Sequence, residues 1–251
     1  MIIETLTLGA LATNCYLTYD PESLEGIIID PADEAEFLVE KIDRLKIKVV
    51  AIIATHGHFD HNLAAGELQL IVNNVPFFIH KDDLFLLKRM NDSASHWLGY
   101  KHQKPLPQNI KFLTPSNSQL STFNPSASLR TSFQFIHTPG HTPGSICLFY
   151  SNKIGAGGAT PLRQDFAGQA GWDAVPTRSF SEGGRKRQDP LTPILFSGDT
   201  LFKSAIGRFD FSYSSKEKLD ASLKKIFTLP KDTVVFPGHG EITTIDDENQ
   251  L

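Results

Sequence analysis

The chain has 251 residues, a length that suits one large domain or two small ones. Its 24 basic and 28 acidic residues leave a net charge of −4, which argues against nucleic acid or an anionic membrane as the main partner. Two cysteines, Cys15 and Cys147, exclude a disulfide scaffold and a thiolate zinc site. With no signal-peptide pattern and no apolar run near the roughly 20 residues of a membrane helix, we expect a cytoplasmic protein.

The first part of the chain alternates strand patterns with a helix pattern. Residues 2–8, 14–18 and 26–30 are rich in Ile, Leu and Thr and are separated by Gly and Pro, which predicts strands. Residues 33–46 predict a helix, because apolar residues recur at helical spacing between acids at the start and bases at the end. The continuous apolar run 48–54 is typical of a strand buried on both faces.

Shorter elements follow this buried strand. Residues 62–73 and 81–90 predict helices on either side of a strand at 76–79. Residues 91–110 contain two prolines and many polar groups without periodicity, and they predict a loop or a lid.

The second part of the chain predicts four more strands and one helix. The strands are expected at residues 131–137, 145–150, 194–196 and 233–236. Residues 214–229 predict a helix, in which Ser214 and Glu217 have the spacing of a capping box.

Residues 152–193 differ in composition from the rest of the chain. They are rich in Gly, Arg, Gln, Ser and Pro, and they join two strand patterns that a short turn could link. We therefore expect a single domain over residues 1–251 with a flexible insertion at 152–193. The basic run at 184–187 is interpreted as part of a solvated loop.

Four turns share one pattern, in which an apolar strand ends and small residues then present histidine or aspartate. They lie at residues 55–61, 140–142, 197–200 and 237–240. Because side chains that follow the carboxyl ends of strands can converge on one rim of a sheet, we expect these groups to meet. Together they offer five histidines and two aspartates: His56, His58, Asp60, His61, His141, Asp199 and His239.

These seven side chains make a nitrogen and oxygen ligand set without cysteine. Such a set suits a catalytic metal better than structural zinc, which prefers thiolate-rich sites. Seven ligands exceed what one tetrahedral ion uses. The count therefore predicts two divalent ions per chain, each with three ligands, and a shared carboxylate whose two oxygens bind both ions. Zinc is the expected metal, and iron and manganese remain open.

The sequence resembles the metallo-β-lactamase superfamily, and within it the glyoxalase II-like hydrolases. The resemblance is carried by motifs at residues 13–16, 29–31, 137–144, 198–202, 207–210 and 237–240. It implies an α/β fold of four layers, an αββα sandwich, with a dinuclear site on one edge. It also implies two sets of three ligands with Asp199 as the bridge: His56, His58 and His141 for the first metal, and Asp60, His61 and His239 for the second.

The resemblance has two departures. Glyoxalase II carries a C-terminal helical extension that helps to bind glutathione, and because only eleven residues follow Gly240 in this sequence, we expect no such extension here. Glyoxalase II also has a Lys and a Tyr after the bridging Asp, where this chain has Arg208 and Asp210. Arg208 is the candidate for binding an anionic substrate, unless it forms a structural ion pair with Asp210.

The implied activity is hydrolysis of an acyl thioester similar to S-lactoylglutathione. Two cations lower the pKa of a shared water, and the resulting hydroxide attacks the acyl carbonyl, with Asp60 and Asp199 as catalytic carboxylates. A thiolate leaves without a strong general acid, which suits a site that lacks one. The alternatives are a lactonase or another ester or phosphodiester hydrolase, an iron-dependent persulfide dioxygenase, and a binding module without activity.

Overall fold

The computed structural model describes residues 1–113, 121–123, 133–151, 186–187 and 192–249. Within these ranges the chain forms two large β-sheets, a small hairpin and six α-helices. The insertion expected at 152–193 and the basic run at 184–187 lie almost entirely outside the described residues, so both stay predictions. In the described part of the chain, every helix is too short or too polar to cross a membrane.

The first sheet has seven strands in the order β10-β1-β2-β3-β4-β5-β6. Numbered in chain order through both sheets, its strands are β1 (Ile2–Leu8), β2 (Thr13–Tyr19), β3 (Glu25–Ile29), β4 (Lys48–Ile53), β5 (Phe77–His80), β6 (Ile110–Leu113) and β10 (Lys186–Arg187). β1, β2 and β3 are antiparallel neighbours, whereas β3 to β6 run parallel. The carboxyl ends of β3, β4 and β5 therefore point to the same edge.

The second sheet has six strands in the order β15-β14-β11-β9-β8-β7. These are β7 (Ser121–Phe123), β8 (Phe133–His137), β9 (Ile146–Tyr150), β11 (Ile194–Gly198), β14 (Val234–Pro237) and β15 (Thr243–Thr244), and a separate hairpin joins β12 (Leu201–Phe202) to β13 (Ala205–Ile206). Tyr150 pairs with Ile194 across β9 and β11. The chain thus leaves and re-enters the sheet at neighbouring positions around residues 151–193.

The helices cover the outer faces of the two sheets. They are α1 (Ala35–Leu45), α2 (Ala65–Ile71), α3 (Leu84–Lys88), α4 (Met90–Leu98), α5 (Lys216–Ile226) and α6 (Ile245–Glu248). Leu38 of α1, Leu68 of α2 and Ala94 of α4 share a buried cluster with Leu17 and Ile52 of the first sheet. Another buried cluster joins α5 and α6 to the second sheet.

A third apolar cluster lies between the sheets and contains side chains from both. Ile27 and Ile53 come from the first sheet, and Phe133, Phe196 and Phe236 come from the second. Two sheets that share a core and carry helices on their outer faces form four layers. The predicted αββα sandwich is confirmed.

The prediction of a loop at residues 91–110 is wrong in its first part. Helix α4 occupies Met90–Leu98, packs against the turn at Phe59–His61, and ends at Gly99, which has a positive φ of 78°. Only Met90 and Ala94 of this helix are fully buried, so the apolar stripe is too short to show a clear period. The helix predicted at 81–90 is likewise interrupted, since one 3-10 turn at Lys81–Asp83 precedes α3.

The capping residue of α5 is also one position later than expected. Ser215, rather than Ser214, is the N-cap, and its hydroxyl accepts a hydrogen bond from the Lys218 amide. The hydroxyl of Ser214 instead donates to the His141 carbonyl at 2.7 Å. The residue assigned to the helix cap thus supports a candidate metal ligand.

Candidate metal centre

The four predicted turns meet at one edge of the sandwich, but they come from both sheets. The turn at residues 55–61 follows β4 of the first sheet, and the other three follow β8, β11 and β14 of the second. The sheets are joined here by a hydrogen bond from the Ile146 amide to the Thr55 carbonyl at 2.9 Å. The expectation that the groups converge on the rim of a single sheet is therefore corrected. The site lies at one edge of the sandwich, between the ends of the two sheets.

Three histidines form the first cluster, defined as His56, His58 and His141. The distance from His58 Nδ1 is 3.0 Å both to His56 Nε2 and to His141 Nε2. His56 and His141 are buried, and His58 is half-buried at the floor of a cavity. Three ring nitrogens therefore converge on one point, as ligands of a single cation do.

The second cluster, defined as Asp60, His61 and His239, lies beside the first. His61 Nε2 is 3.3 Å from His239 Nε2 and 3.6 Å from Asp60 Oδ2, and His239 Nε2 is 3.3 Å from Asp60 Oδ2. The Thr13 hydroxyl donates to the same Asp60 oxygen at 3.1 Å. This cluster presents two imidazole nitrogens and one carboxylate oxygen to a second point.

Asp199 lies between the clusters and reaches both. Its Oδ2 is 3.5 Å from His141 Nε2 in the first cluster, and its Oδ1 is 3.3 Å from His61 Nε2 in the second. Oδ1 is buried and accepts no well-aligned hydrogen bond from any described residue. A Cβ atom at position 238 would collide with this oxygen and with the His61 ring, so Gly238 makes room for the carboxylate. Asp199 has the position of a bridging ligand.

The outer nitrogens of His56 and His61 are held by one buried carboxylate and its neighbour. Asp30 Oδ2 lies 3.0 Å from His61 Nδ1 and accepts the Thr55 hydroxyl at 2.7 Å. The Thr55 oxygen then accepts from His56 Nδ1 at 3.1 Å. Because a carboxylate only accepts hydrogen bonds, both Nδ1 atoms carry the proton, and both Nε2 lone pairs point inward in the neutral rings.

The outer nitrogens of the other three histidines are also held by hydrogen bonds. His141 Nδ1 donates to the Arg208 carbonyl at 2.9 Å, and His239 Nδ1 donates to the Leu11 carbonyl at 3.2 Å. His58 is reversed, with Nδ1 inward and Nε2 at 2.8 Å from the Tyr213 hydroxyl. Every candidate histidine ligand is therefore fixed through its outer nitrogen, as in known metal sites.

Burial sets the charge state of the first cluster. Burial and the neighbouring His141 lower the pKa of His58 to about 3, and burial holds the pKa of His56 well below its ordinary value. Burial also lowers the pKa of His141, although Asp199 opposes this shift. These rings are neutral at pH 7 and can bind a cation without first releasing a proton.

Carboxylates reverse this effect in the second cluster. Burial alone would lower the pKa of His61, but Asp60, Asp199 and Asp30 raise it well above its ordinary value. Burial likewise opposes the shift at His239, whose pKa is raised by its hydrogen bond to Asp60 and by Asp199. In turn His61 lowers the pKa of both Asp60 and Asp199 against the effect of burial. A cation that binds to the second cluster must therefore displace protons from His61 and His239.

The residues present fit a pair of divalent metal ions. The inward nitrogens of the five imidazoles converge with the Asp60 and Asp199 carboxylates as metal ligands do, and the buried Asp199 oxygen lacks a well-aligned donor among the described residues. Nitrogen and oxygen donors of this kind suit zinc, iron or manganese.

Asp83 is a site residue that the sequence reading did not single out. Its buried carboxylate accepts hydrogen bonds from the Gly57 amide at 2.9 Å, the Thr142 hydroxyl at 2.6 Å and the Gly144 amide at 2.6 Å. It therefore ties the turn with His56 and His58 to the turn with His141. The available signal was its position just after strand β5, the same place that the ligands occupy after their own strands.

The cavity above the clusters has a volume of about 480 Å³ and is open to solvent. Arg208 lines it, but the guanidinium Nε and Nη2 donate to the Asp210 carboxylate at 3.0 and 2.9 Å. The structure thus contains the ion pair that was the alternative to substrate binding. The role of Arg208 toward a substrate stays a prediction.

Comparison with known proteins identifies relatives along nearly the whole chain. The family described as the Metallo-beta-lactamase superfamily matches residues 8–154 and 175–239. An uncharacterized protein of Aquifex aeolicus (strain VF5) is 33% identical over 250 residues, which span 99% of this chain and 94% of the relative. Hydroxyacylglutathione hydrolase GloC of Haemophilus influenzae is 29% identical over 251 residues, which span 100% of this chain and 96% of the relative.

Two solved structures are similar over almost their full lengths. The B3 metallo-beta-lactamase BLEG-1 has a TM-score of 0.71 and 28% identity, over 99% of this chain and 97% of the BLEG-1 chain. The di-iron-bound form of TTHA1623 has a TM-score of 0.70 and 30% identity, over 98% of this chain and 96% of the TTHA1623 chain. The metal in that relative is iron, so the similarity to this structure does not favour zinc over iron for this chain.

Proposed function

Because the chain belongs to the metallo-β-lactamase superfamily, we propose that it is a metal-dependent hydrolase of acyl thioesters, of the hydroxyacylglutathione hydrolase type. The observation that carries the proposal is the pair of ligand clusters joined by Asp199 at the floor of an open cavity. Full-length similarity to a protein named as such a hydrolase supports the choice of thioesters.

The residues around the cavity favour a substrate with a good leaving group. Outside the two clusters and Asp199, the described lining contains no carboxylic acid and no lysine. Burial raises the pKa of Tyr213 to about 12, which makes its hydroxyl a weak general acid at neutral pH. A thiolate leaves without such help, whereas an amine does not.

The chain's own side chains provide binding and orientation. Ions held by the seven ligands would supply a water of lowered pKa and stabilise the developing oxyanion. Asp60 lines the cavity, and its hydrogen bond from Thr13 fixes the carboxylate that would orient the attacking water. Water adds across the C–S bond, so the products are a carboxylic acid and a free thiol. Cys15 and Cys147 are buried in separate layers and are not nucleophiles of the reaction.

Two other reactions would use the same centre. A lactone or another ester needs the same attack on a carbonyl, so it remains the alternative hydrolase activity. A persulfide dioxygenase would instead use one iron and consume oxygen. Measuring oxygen uptake with a glutathione persulfide separates that activity from hydrolysis.

The proposal is tested by hydrolysis of S-lactoylglutathione with purified protein that carries about two metal ions per chain. We expect turnover with zinc, iron or manganese, and loss of more than about 100-fold in kcat for Asp199→Ala, because this change removes a ligand of both clusters. Protein that retains two ions but hydrolyses no thioester would refute the proposal and redirect the search to lactones.

A further inference from the structure

The walls of the cavity above the metal centre are mostly apolar. Beyond the ligands, the lining includes the side chains of Leu11, Phe59, Leu86, Trp97, Phe202 and Phe211. They come from separate elements: the turn between β1 and β2, the turn after β4, helices α3 and α4, and the region from the β12–β13 hairpin onward. Five parts of the chain thus surround the metal ligands with apolar side chains.

Two of these apolar side chains stand open to water at the cavity mouth. Trp97 is 58% exposed and Leu11 is 46% exposed. Large exposed apolar groups are unremarkable when scattered, but a concave set facing a reaction centre indicates a ligand-binding surface. Trp97 is placed there by α4, which packs against the turn that carries Asp60 and His61.

The same lining offers little to a strongly anionic substrate. Arg208 is its one basic side chain besides the histidines among the described residues. Its guanidinium is already paired with Asp210 and lies 4.7 Å above the centre of the Phe211 ring. A substrate carboxylate would have to compete with Asp210 for this cation.

We infer that the site selects thioesters with an apolar, ring-sized acyl group, and that Trp97 is a specificity-determining residue for that group. This inference rests on the proposed thioesterase function. A cavity of about 480 Å³ accommodates a phenyl ring together with the thioester. The aromatic face of Trp97 offers a large contact area to such a ring.

The inference is tested with two thioesters of the same neutral thiol, N-acetylcysteamine, that carry a phenylacetyl or an acetyl group. We expect kcat/KM to be at least about tenfold higher for the phenylacetyl substrate. Trp97→Ala should bring the ratio close to one, because it should lower kcat/KM for the phenylacetyl substrate far more than for the acetyl substrate. Phe112→Ala is the matched control, because Phe112 is an exposed aromatic residue of β6 that does not line the cavity, and it should preserve the ratio.

Binding of non-hydrolysable thioethers keeps this inference separate from the proposed function. Calorimetry should show at least about tenfold tighter binding of a phenethyl thioether than of an ethyl thioether, and Trp97→Ala should abolish the difference. That result without any turnover would support the apolar site and refute the thioesterase. Hydrolysis with equal rates for the phenylacetyl and acetyl thioesters would overturn the inference alone.

Discussion

The first cluster of the metal centre contains only imidazoles, whereas the second combines two imidazoles with a carboxylate. Burial lowers the pKa of His56, His58 and His141, so the first cluster is neutral before a metal arrives. Carboxylates raise the pKa of His61 and His239, so the second cluster exchanges protons for metal. The difference predicts that two sites built from similar residues bind metal with unequal affinity at neutral pH.

The supports behind the clusters differ as well. The outer nitrogen of His61 is hydrogen-bonded to the fully buried carboxylate of Asp30, whereas that of His58 is hydrogen-bonded to the half-exposed hydroxyl of Tyr213. A buried charged acceptor orients an imidazole more strongly than a neutral hydroxyl near solvent does. We therefore expect the outer contact of His61 to contribute more to metal affinity than the outer contact of His58.

Lowering the pH gives the largest expected contrast between the clusters. A group whose pKa lies above the working pH holds its proton, and a metal must displace that proton. We expect the second ion to be lost first as the pH falls from 7.5 to 5.5, with affinity decreasing about tenfold per pH unit for each proton displaced. The first ion should stay bound, since the pKa of His58 is about 3. Metal content after dialysis at each pH measures this, and simultaneous loss of both ions would contradict it.

Replacing Asp30 tests the support of the second cluster. In Asp30→Asn the amide can donate to His61 Nδ1, which favours the ring form with the proton on the inward Nε2. Because Asp30 contacts His61 directly but reaches His56 only through Thr55, we expect the second ion to bind about 10–100-fold more weakly and the first ion to be weakened less. Competition with a chelating dye measures both affinities, and thermal unfolding checks that the variant folds. Equal weakening of both ions would contradict this difference between the direct and the indirect contact of Asp30.

Removing the Tyr213 hydroxyl is the smallest of these perturbations. Tyr213→Phe deletes the hydrogen bond to His58 but keeps the ring stacked on Phe211, with centroids 5.4 Å apart. We expect the first ion to bind less than about tenfold more weakly, because the neutral hydroxyl is a modest support. A decrease in affinity for the first ion as large as the decrease that Asp30→Asn causes for the second ion would contradict the difference between the outer contacts of His58 and His61.

The ligands could be found in the sequence because each is marked locally. An apolar strand, a turn of small residues and a histidine or aspartate follow one another within about ten residues at His56, His141, Asp199 and His239. The strands carry the β-branched and apolar residues that their burial requires, so most element boundaries agree within a few positions. The layered architecture followed from the family resemblance rather than from these patterns.

The contacts that complete the site could not be found in this way, because they join distant parts of the chain. Asp83 binds Thr142 across 59 positions, and His58 contacts Tyr213 across 155. The spacing of residues within a short segment does not predict contacts between segments so far apart in the sequence. Helix α4 was missed for a different reason: it buries few side chains and leaves Trp97 exposed over the cavity, so its pattern resembles a loop.

Titration of the metal-free protein tests the central claim most directly. The two clusters predict two equivalents of zinc at pH 7, bound in two steps of unequal affinity. His239→Ala should abolish the weaker step and keep the tighter one, whereas His58→Ala should weaken the tighter one. A single equivalent in the wild-type protein, or an unchanged titration in His239→Ala, would contradict a paired centre built from these residues.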